Sequence, residues 1–128
     1  MEPRHLVEKA KTIAVVGASN DPTRASNRVM HYLIQCGYDV IPVNPRSEAV
    51  LGKTCVASLA EIDRPIDIVD VFRRSSVAAN VAQEAASAGA TCLWLQEGVR
   101  SEEARRIAED AGMAFVQDRC IKKVLMGF

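Results

Sequence analysis

Short apolar runs of strand length, alternating with segments of helical periodicity, constrain this chain more than any other feature. Thr12–Val16 is apolar and β-branched and stops at Gly17, the pattern of a central strand buried on both faces. Over 26–36 the apolar positions Val29, Met30, Leu33 and Ile34 follow helical spacing, with Ser26 predicted as the N-cap and Gly37 as the residue that ends the helix. Further strands are expected at 38–43, weakly at 54–56, then at 66–72, Cys92–Leu95 and Ala114–Val116. Helices fit between them over 76–87, closed by Gly89, and over 101–111, closed by Gly112. The second opens on Ser101, with Glu102 and Glu103 in its first turn, where the helix dipole favours acids. A short amphipathic helix near 6–10 precedes the first strand, and another follows Cys120.

No linker, repeat or low-complexity stretch interrupts the alternation, so residues 1–128 are read as one domain. Strands alternating with helices predict an α/β fold: a three-layer, Rossmann-like, doubly wound parallel sheet of five to six strands. In the strand order 3-2-1-4-5-6 the weak strand lies at an edge and 66–72 stands beside Thr12–Val16. At this length folding removes roughly two-thirds of the unfolded surface from water, enough for one core without disulfide or metal staples. The 48% hydrophobic and 25% charged fractions exclude disorder. Lys plus Arg total 16 and Asp plus Glu total 16, a formal net charge of zero, which argues against a coat for nucleic acid or an acidic membrane. No apolar run approaches the roughly 20 residues of a membrane span, and Met1-Glu2-Pro3-Arg4-His5 does not open like a signal peptide. A cytoplasmic protein is expected. Cys36, Cys55, Cys92 and Cys120 are too scattered for a zinc site or a disulfide framework and are read as reduced, mostly buried thiols.

In a doubly wound sheet ligands bind beyond the carboxyl ends of the strands, where the strand order reverses. There the sequence places Gly17-Ala18-Ser19-Asn20 and Arg24 to Arg28 after the first strand, Asn44-Pro45-Arg46-Ser47 after the second, and Phe72-Arg73-Arg74-Ser75-Ser76 after the strand at 66–72. A single loop arginine is ordinarily solvated surface. Here Arg24, Arg28, Arg46, Arg73 and Arg74 converge on one edge against one acid, Asp21, and predict a phosphorylated anionic ligand held by guanidinium forks and helix-terminal amides.

The turn after the first strand lacks the G-x-G-x-x-G fingerprint, because Ser19 and Pro22 stand at its second and third glycine positions. The acid that an NAD site needs at the end of the second strand is replaced by Val43-Asn44-Pro45-Arg46. A phosphorylated ribose is therefore favoured, which leaves NADP or coenzyme A, and the missing glycine fingerprint favours coenzyme A.

Ile13-Ala14-Val15-Val16-Gly17-Ala18-Ser19, Pro22-Thr23-Arg24-Ala25-Ser26, Gly37-Tyr38 and Pro42-Val43-Asn44-Pro45 together resemble the coenzyme A-binding protein family. So do Leu51-Gly52-Lys53, Ile66-Asp67-Ile68-Val69-Asp70-Val71-Phe72-Arg73, Trp94-Leu95-Gln96-Glu97-Gly98-Val99 and Asp118-Arg119-Cys120, so that the resemblance runs from about Thr12 to Cys120. These small proteins share their Rossmann-like domain with the N-terminal part of the succinyl-CoA synthetase α subunit and with ADP-forming acyl-CoA synthetases. The resemblance implies that Gly17, Ala18, Ser19 and Asn20 face pyrophosphate and pantetheine, that Arg24 and Ser26 contact phosphate, and that Asn44, Pro45 and Arg46 line the ADP pocket. It also implies that Val71, Phe72 and Arg73 pass over the adenine and that Gln96, Glu97 and Gly98 lie nearer the thiol end.

In the synthetases a histidine on a second domain carries phosphate and a partner module binds ATP. His5 and His31 match neither role, so the expectation is a non-catalytic carrier, sensor or partner module for coenzyme A or an acyl-CoA. The partners expected are the small-molecule ligand, with no nucleic acid and no membrane, leaving open a homodimer or an acyl-CoA-using enzyme. The alternatives are an NADP-linked oxidoreductase and the coenzyme A-binding subunit of a split acyl-CoA synthetase. Cys120 ends up at the same sheet edge and is read as structural, Glu97 as a solvent-facing acid, and Trp94 as core.

Overall fold

The computed structural model describes residues 1–128. In chain order its main elements are α1 (Pro3–Lys9), β1 (Thr12–Val16), α2 (Ala25–Gln35), β2 (Asp39–Val43), β3 (Ala49–Val50), β4 (Lys53–Thr54) and β5 (Ile68–Val71). There follow α3 (Ala78–Ser87), β6 (Cys92–Leu95), α4 (Glu102–Asp110), β7 (Ala114–Val116) and α5 (Ile121–Met126). Five parallel strands stand in the order β2-β1-β5-β6-β7, which sets β5 directly beside β1 as the sequence predicts.

Alternation along each strand divides the core into two layers. Ile13 and Val15 of β1, with Ile68, Cys92, Trp94 and Val116, pack under Val7, Val29, Met30, Leu33, Ile121 and Val124 of α1, α2 and α5. Ala14 and Val16, with Val69, Val71, Leu93 and Leu95, pack under the alanine-rich faces of α3 and α4. Every residue of β1 is buried, as a strand covered on both faces must be.

The weak strand at 54–56 is not a strand of the main sheet. Lys53–Thr54 pairs antiparallel with Ala49–Val50, and only Val56 reaches the sheet, through one parallel bridge to Val43 at the β2 edge. Ser26 is not an N-cap either: Arg24 takes that position with no side-chain capping bond, and Ser26 lies buried in the first turn. The segment expected as a helix from 76 begins as a 3-10 turn, Ser75–Val77, before α3. Of the four thiols only Cys92 is buried; Cys36 is exposed, and Cys55 and Cys120 are half-buried. Ser101 does cap α4, its Oγ accepting the Ala104 amide at 3.0 Å. Ser101→Ala is expected to lower the unfolding free energy by about 1 kcal/mol, read from urea titration, and an unchanged midpoint would refute the cap.

One strand residue breaks the apolar pattern. Asp70 is fully buried on β5 between Val15 and Trp94, and neither of its carboxylate oxygens has a hydrogen-bond partner. Burial holds this carboxyl well above the ordinary carboxylate range, and burial first, then the neighbouring Asp70, pushes the Cys92 thiol up to about 12. No helix is long and apolar enough to cross a membrane.

Candidate functional site

With β2 on one side of β1 and β5 on the other, the strand order reverses at β1, and a crevice opens at the carboxyl ends of β1 and β5. Gly17 brings the two loops together. Its φ is +89°, it donates its amide to the Val43 carbonyl at 3.1 Å, and a Cβ there would stand 2.7 Å from the Phe72 carbonyl oxygen. Only a residue without a Cβ allows this approach.

Around that contact lies a cleft of about 450 Å³ whose walls include Gly17, Arg24, Ser26, Phe72, Arg73, Gln96 and Gly98. Arg74 and Glu97 join them, so three arginines and one glutamate line one opening. Arg73 has no ion-pair or hydrogen-bond partner in the chain, and Arg74 donates Nε to the Ser76 hydroxyl at 3.0 Å. Arg24 is mostly exposed, 4.0 Å from Asp21. The Asp21 carboxyl is itself held below its usual range, first by the Thr23 hydroxyl and amide and then by Arg24. The amides of Ala25 and Ser26 in the first turn of α2 have no partner, as is usual at a helix start. This set can hold an anion by charge-assisted hydrogen bonds.

The far wall is braced from below. Asp118, at φ +57°, accepts the Gly98 amide at 2.8 Å and Arg100 Nε at 3.2 Å, and these contacts hold its carboxyl below the usual range. Buried Gln96 accepts the Ile121 amide at 3.0 Å and so ties β6 to α5. Glu97 is in an ion pair with Lys123 Nζ at 2.9 Å, which holds that ammonium above its usual range. Trp94, fully buried, donates Nε1 to the Arg119 carbonyl at 2.8 Å.

The remaining predicted residues lie outside this cleft. Asn44 donates Nδ2 to the Ala18 carbonyl and accepts the Arg46 amide, both at 2.8 Å. Asn20 donates to the Ala49 carbonyl at 2.8 Å, and the Ser19 hydroxyl accepts the Asp21 amide at 3.0 Å. Ala18, Asn20 and Asn44 thus stitch the turn after β1 to the loop after β2 and to the β3–β4 hairpin, while Ser19 bonds within its own turn and to Asn27 of α2. Pro45 and Arg46 are exposed on that loop, Arg46 with no partner for its side chain. The side chain of Val71 is fully buried in the core, which leaves it only backbone contact with anything above the sheet. Arg28 turns back on its own chain, donating Nη1 to the carbonyls of Thr23 and Pro22 at 2.8 and 3.3 Å.

A second cleft, of about 650 Å³, adjoins the first between α2 and α5 and shares Ala25, Phe72, Gln96 and Glu97 with it. Its walls add Val29, Cys120, Met126 and Phe128. Sequence reading placed Cys120 at this edge and missed the rest; the available signal was a terminal amphipathic helix carrying more apolar residues than its short length can bury. His5 and His31, exposed on α1 and α2, line neither cleft. No group of three or more His, Cys, Asp and Glu side chains is placed to hold a metal ion.

Comparison with known proteins converges on one family. A family model described as a CoA binding domain matches residues 11–126. The uncharacterized protein YneT of Bacillus subtilis is 43% identical over 121 residues, covering 94% of this chain and 90% of that protein. The α subunit of the ADP-forming acetate–CoA ligase II of Pyrococcus furiosus is 30% identical over 120 residues, covering 85% of this chain but only 26% of the subunit. A solved hypothetical protein from Pyrococcus horikoshii superposes with a TM-score of 0.92 at 37% identity, covering 99% of this chain and 94% of that one. With the match spanning nearly every element that builds the crevice, the chain belongs to the CoA binding domain family, and it is similar to about a quarter of the α subunit of that ADP-forming ligase.

Proposed function

We propose that this protein binds coenzyme A or an acyl-CoA at the carboxyl edge of the sheet and acts as a non-catalytic carrier, sensor or partner module in the cytoplasm. The observation that carries the reading is the cleft at the β1–β5 reversal, where Arg24, Arg73 and Arg74 and two unpartnered helix amides surround Gly17 in a chain of this family. In this reading the pyrophosphate lies against Gly17, Arg24 and Ser26, Phe72 and Arg73 cover the nucleotide, and the pantetheine runs towards Gln96 and Gly98. Arg46, exposed and unpartnered on the loop that Asn44 ties to the β1 turn, meets the phosphate on the ribose. Ser19, Asn20 and Asn44 shape the pocket by the side-chain hydrogen bonds that hold its loops, and Ala18, Pro45 and Val71 through backbone. The non-catalytic part of the reading is supported by the position of both histidines outside the clefts and by the ion pair that occupies Glu97.

Thermal shift and native mass spectrometry with coenzyme A, dephospho-coenzyme A, NAD and NADP test the reading. Coenzyme A is expected to stabilise most, and Arg46→Ala to abolish the difference between it and dephospho-coenzyme A, at about ten- to hundred-fold in affinity for one charged hydrogen bond. Arg73→Ala is expected to weaken both. Equal or absent stabilisation by all four ligands sinks the reading, and preference for NADP revives the oxidoreductase. Recovery of an ATP-binding partner in pull-downs would place the chain in a split synthetase.

A further inference from the structure

The geometry points to the cleft between α2 and α5 as the seat of an apolar acyl chain attached to the coenzyme A thiol. This inference rests on the coenzyme A reading and extends it to the ligand's other end. The two clefts meet at Ala25, Phe72, Gln96 and Glu97, and Gln96 and Glu97 are the residues towards which the pantetheine end is assigned. A group bonded to the thiol there has one continuous way onward, into a space of about 650 Å³, within the range of small-molecule sites.

The chemistry of that space selects the acyl class. Three cations stand on its rim, and each already has a partner: Arg28 on the carbonyls of Pro22 and Thr23, Lys123 on Glu97, and Lys122 over the Tyr32 ring at 5.4 Å. What remains open to a ligand is apolar, from Ala25, Val29, Phe72, Met126 and Phe128. Of the four large hydrophobic residues that the fold leaves exposed, two, Met126 at 51% and Phe128 at 80%, lie on this cleft. Exposed apolar side chains gathered at one opening are the mark of a surface that a ligand covers. A chain ending in a carboxylate would find only Lys122, held by a ring face alone, to pair with, whereas each methylene of an unbranched acyl chain removes apolar surface from water on both sides.

The test is calorimetric titration of the full chain with coenzyme A and its acetyl, butyryl, hexanoyl and octanoyl thioesters, repeated on Met126→Glu. Met126 is half exposed and lines only the second cleft, so the variant leaves the arginine cleft and the core intact. The expected result is an affinity that rises by roughly two- to four-fold per methylene, with Met126→Glu flattening the series while leaving coenzyme A itself within about two-fold. A flat series in the native protein, with coenzyme A still bound, overturns the acyl seat and spares the coenzyme A reading. No binding of any ligand in the set overturns that reading and the acyl seat with it. A flat series accompanied by a concentration-dependent dimer that Met126→Glu dissociates also overturns the proposal, assigning the apolar surface to a second copy of the chain.

Discussion

Replacing Gly17 by alanine is expected to destabilise the protein by about 2 to 4 kcal/mol and to abolish ligand binding under conditions where the variant is still folded. Two costs combine at this position. A φ of +89° strains any residue with a Cβ, and that Cβ would also stand 2.7 Å from the Phe72 carbonyl oxygen and 3.2 Å from Arg73 Cδ. The carbonyl is backbone, fixed by the pairing of β5 with β1, so relief requires the ends of the two strands to part. Gly37 separates the two effects, because it has φ +93° with nothing within 4 Å of its missing Cβ. Gly37→Ala is therefore expected to cost only the conformational part, about 1 to 2 kcal/mol, and to leave ligand binding unchanged. Urea unfolding of both variants decides the matter, and equal losses would refute the close contact as the reason for glycine at 17.

The second large effect concerns Asp70. Buried without a partner, the Asp70 carboxyl keeps its proton in the native state to higher pH than in the unfolded chain, where it ionises near an ordinary value of about 3.9. The native state therefore holds a proton that the unfolded state releases, and this contribution to stability is complete below the unfolded value. It declines as pH rises above about 4, with a limiting slope of about 1.4 kcal/mol per pH unit, until the native carboxyl itself ionises. Asp70→Asn is expected to remove that decline, and Asp70→Val to raise stability at pH 7 by about 1 to 3 kcal/mol by ending the burial of an unpartnered polar group. Urea midpoints across the pH range for the three proteins provide the comparison. Parallel pH profiles for native protein and Asp70→Asn would show that Asp70 is not the titrating group.

The sheet was legible because its signals are local and strong. The four consecutive apolar residues Ile13–Val16 can be buried only between two layers, and Gly37, Gly89 and Gly112 end helices at positive φ as their positions after apolar runs require. The edge was harder, since Val56 bonds to the sheet through a single bridge and nothing in the residues around it limits pairing to one. Ser26 has a capping residue's chemistry, but the turn at Asp21–Thr23 starts α2 earlier and carries the hydroxyl into the buried first turn. Among the candidate ligand residues the strand-end rule placed the loops correctly but could not say which way side chains turn. Arg28 and Arg73 are equally basic in sequence, yet one folds back on two carbonyls and the other bonds to nothing in the chain. Asp70 was invisible for the opposite reason, because one acid in an alternating strand reads as a solvent-facing position until helices are laid over it.

The sheet order also sets a schedule for synthesis. β1 lies second in space but first in the chain, and β5, which covers its other side, begins about fifty residues after β1 ends. At roughly 5 to 20 residues per second, the nascent chain presents one open edge of a mostly apolar strand for about 3 to 10 seconds before a neighbour exists to cover it. The hydrogen-bonding side of Thr12–Val16 is thus the place where an unfinished chain is most exposed to wrong strand pairing. The same β1–β5 contact that forms the crevice is the step that ends that exposure.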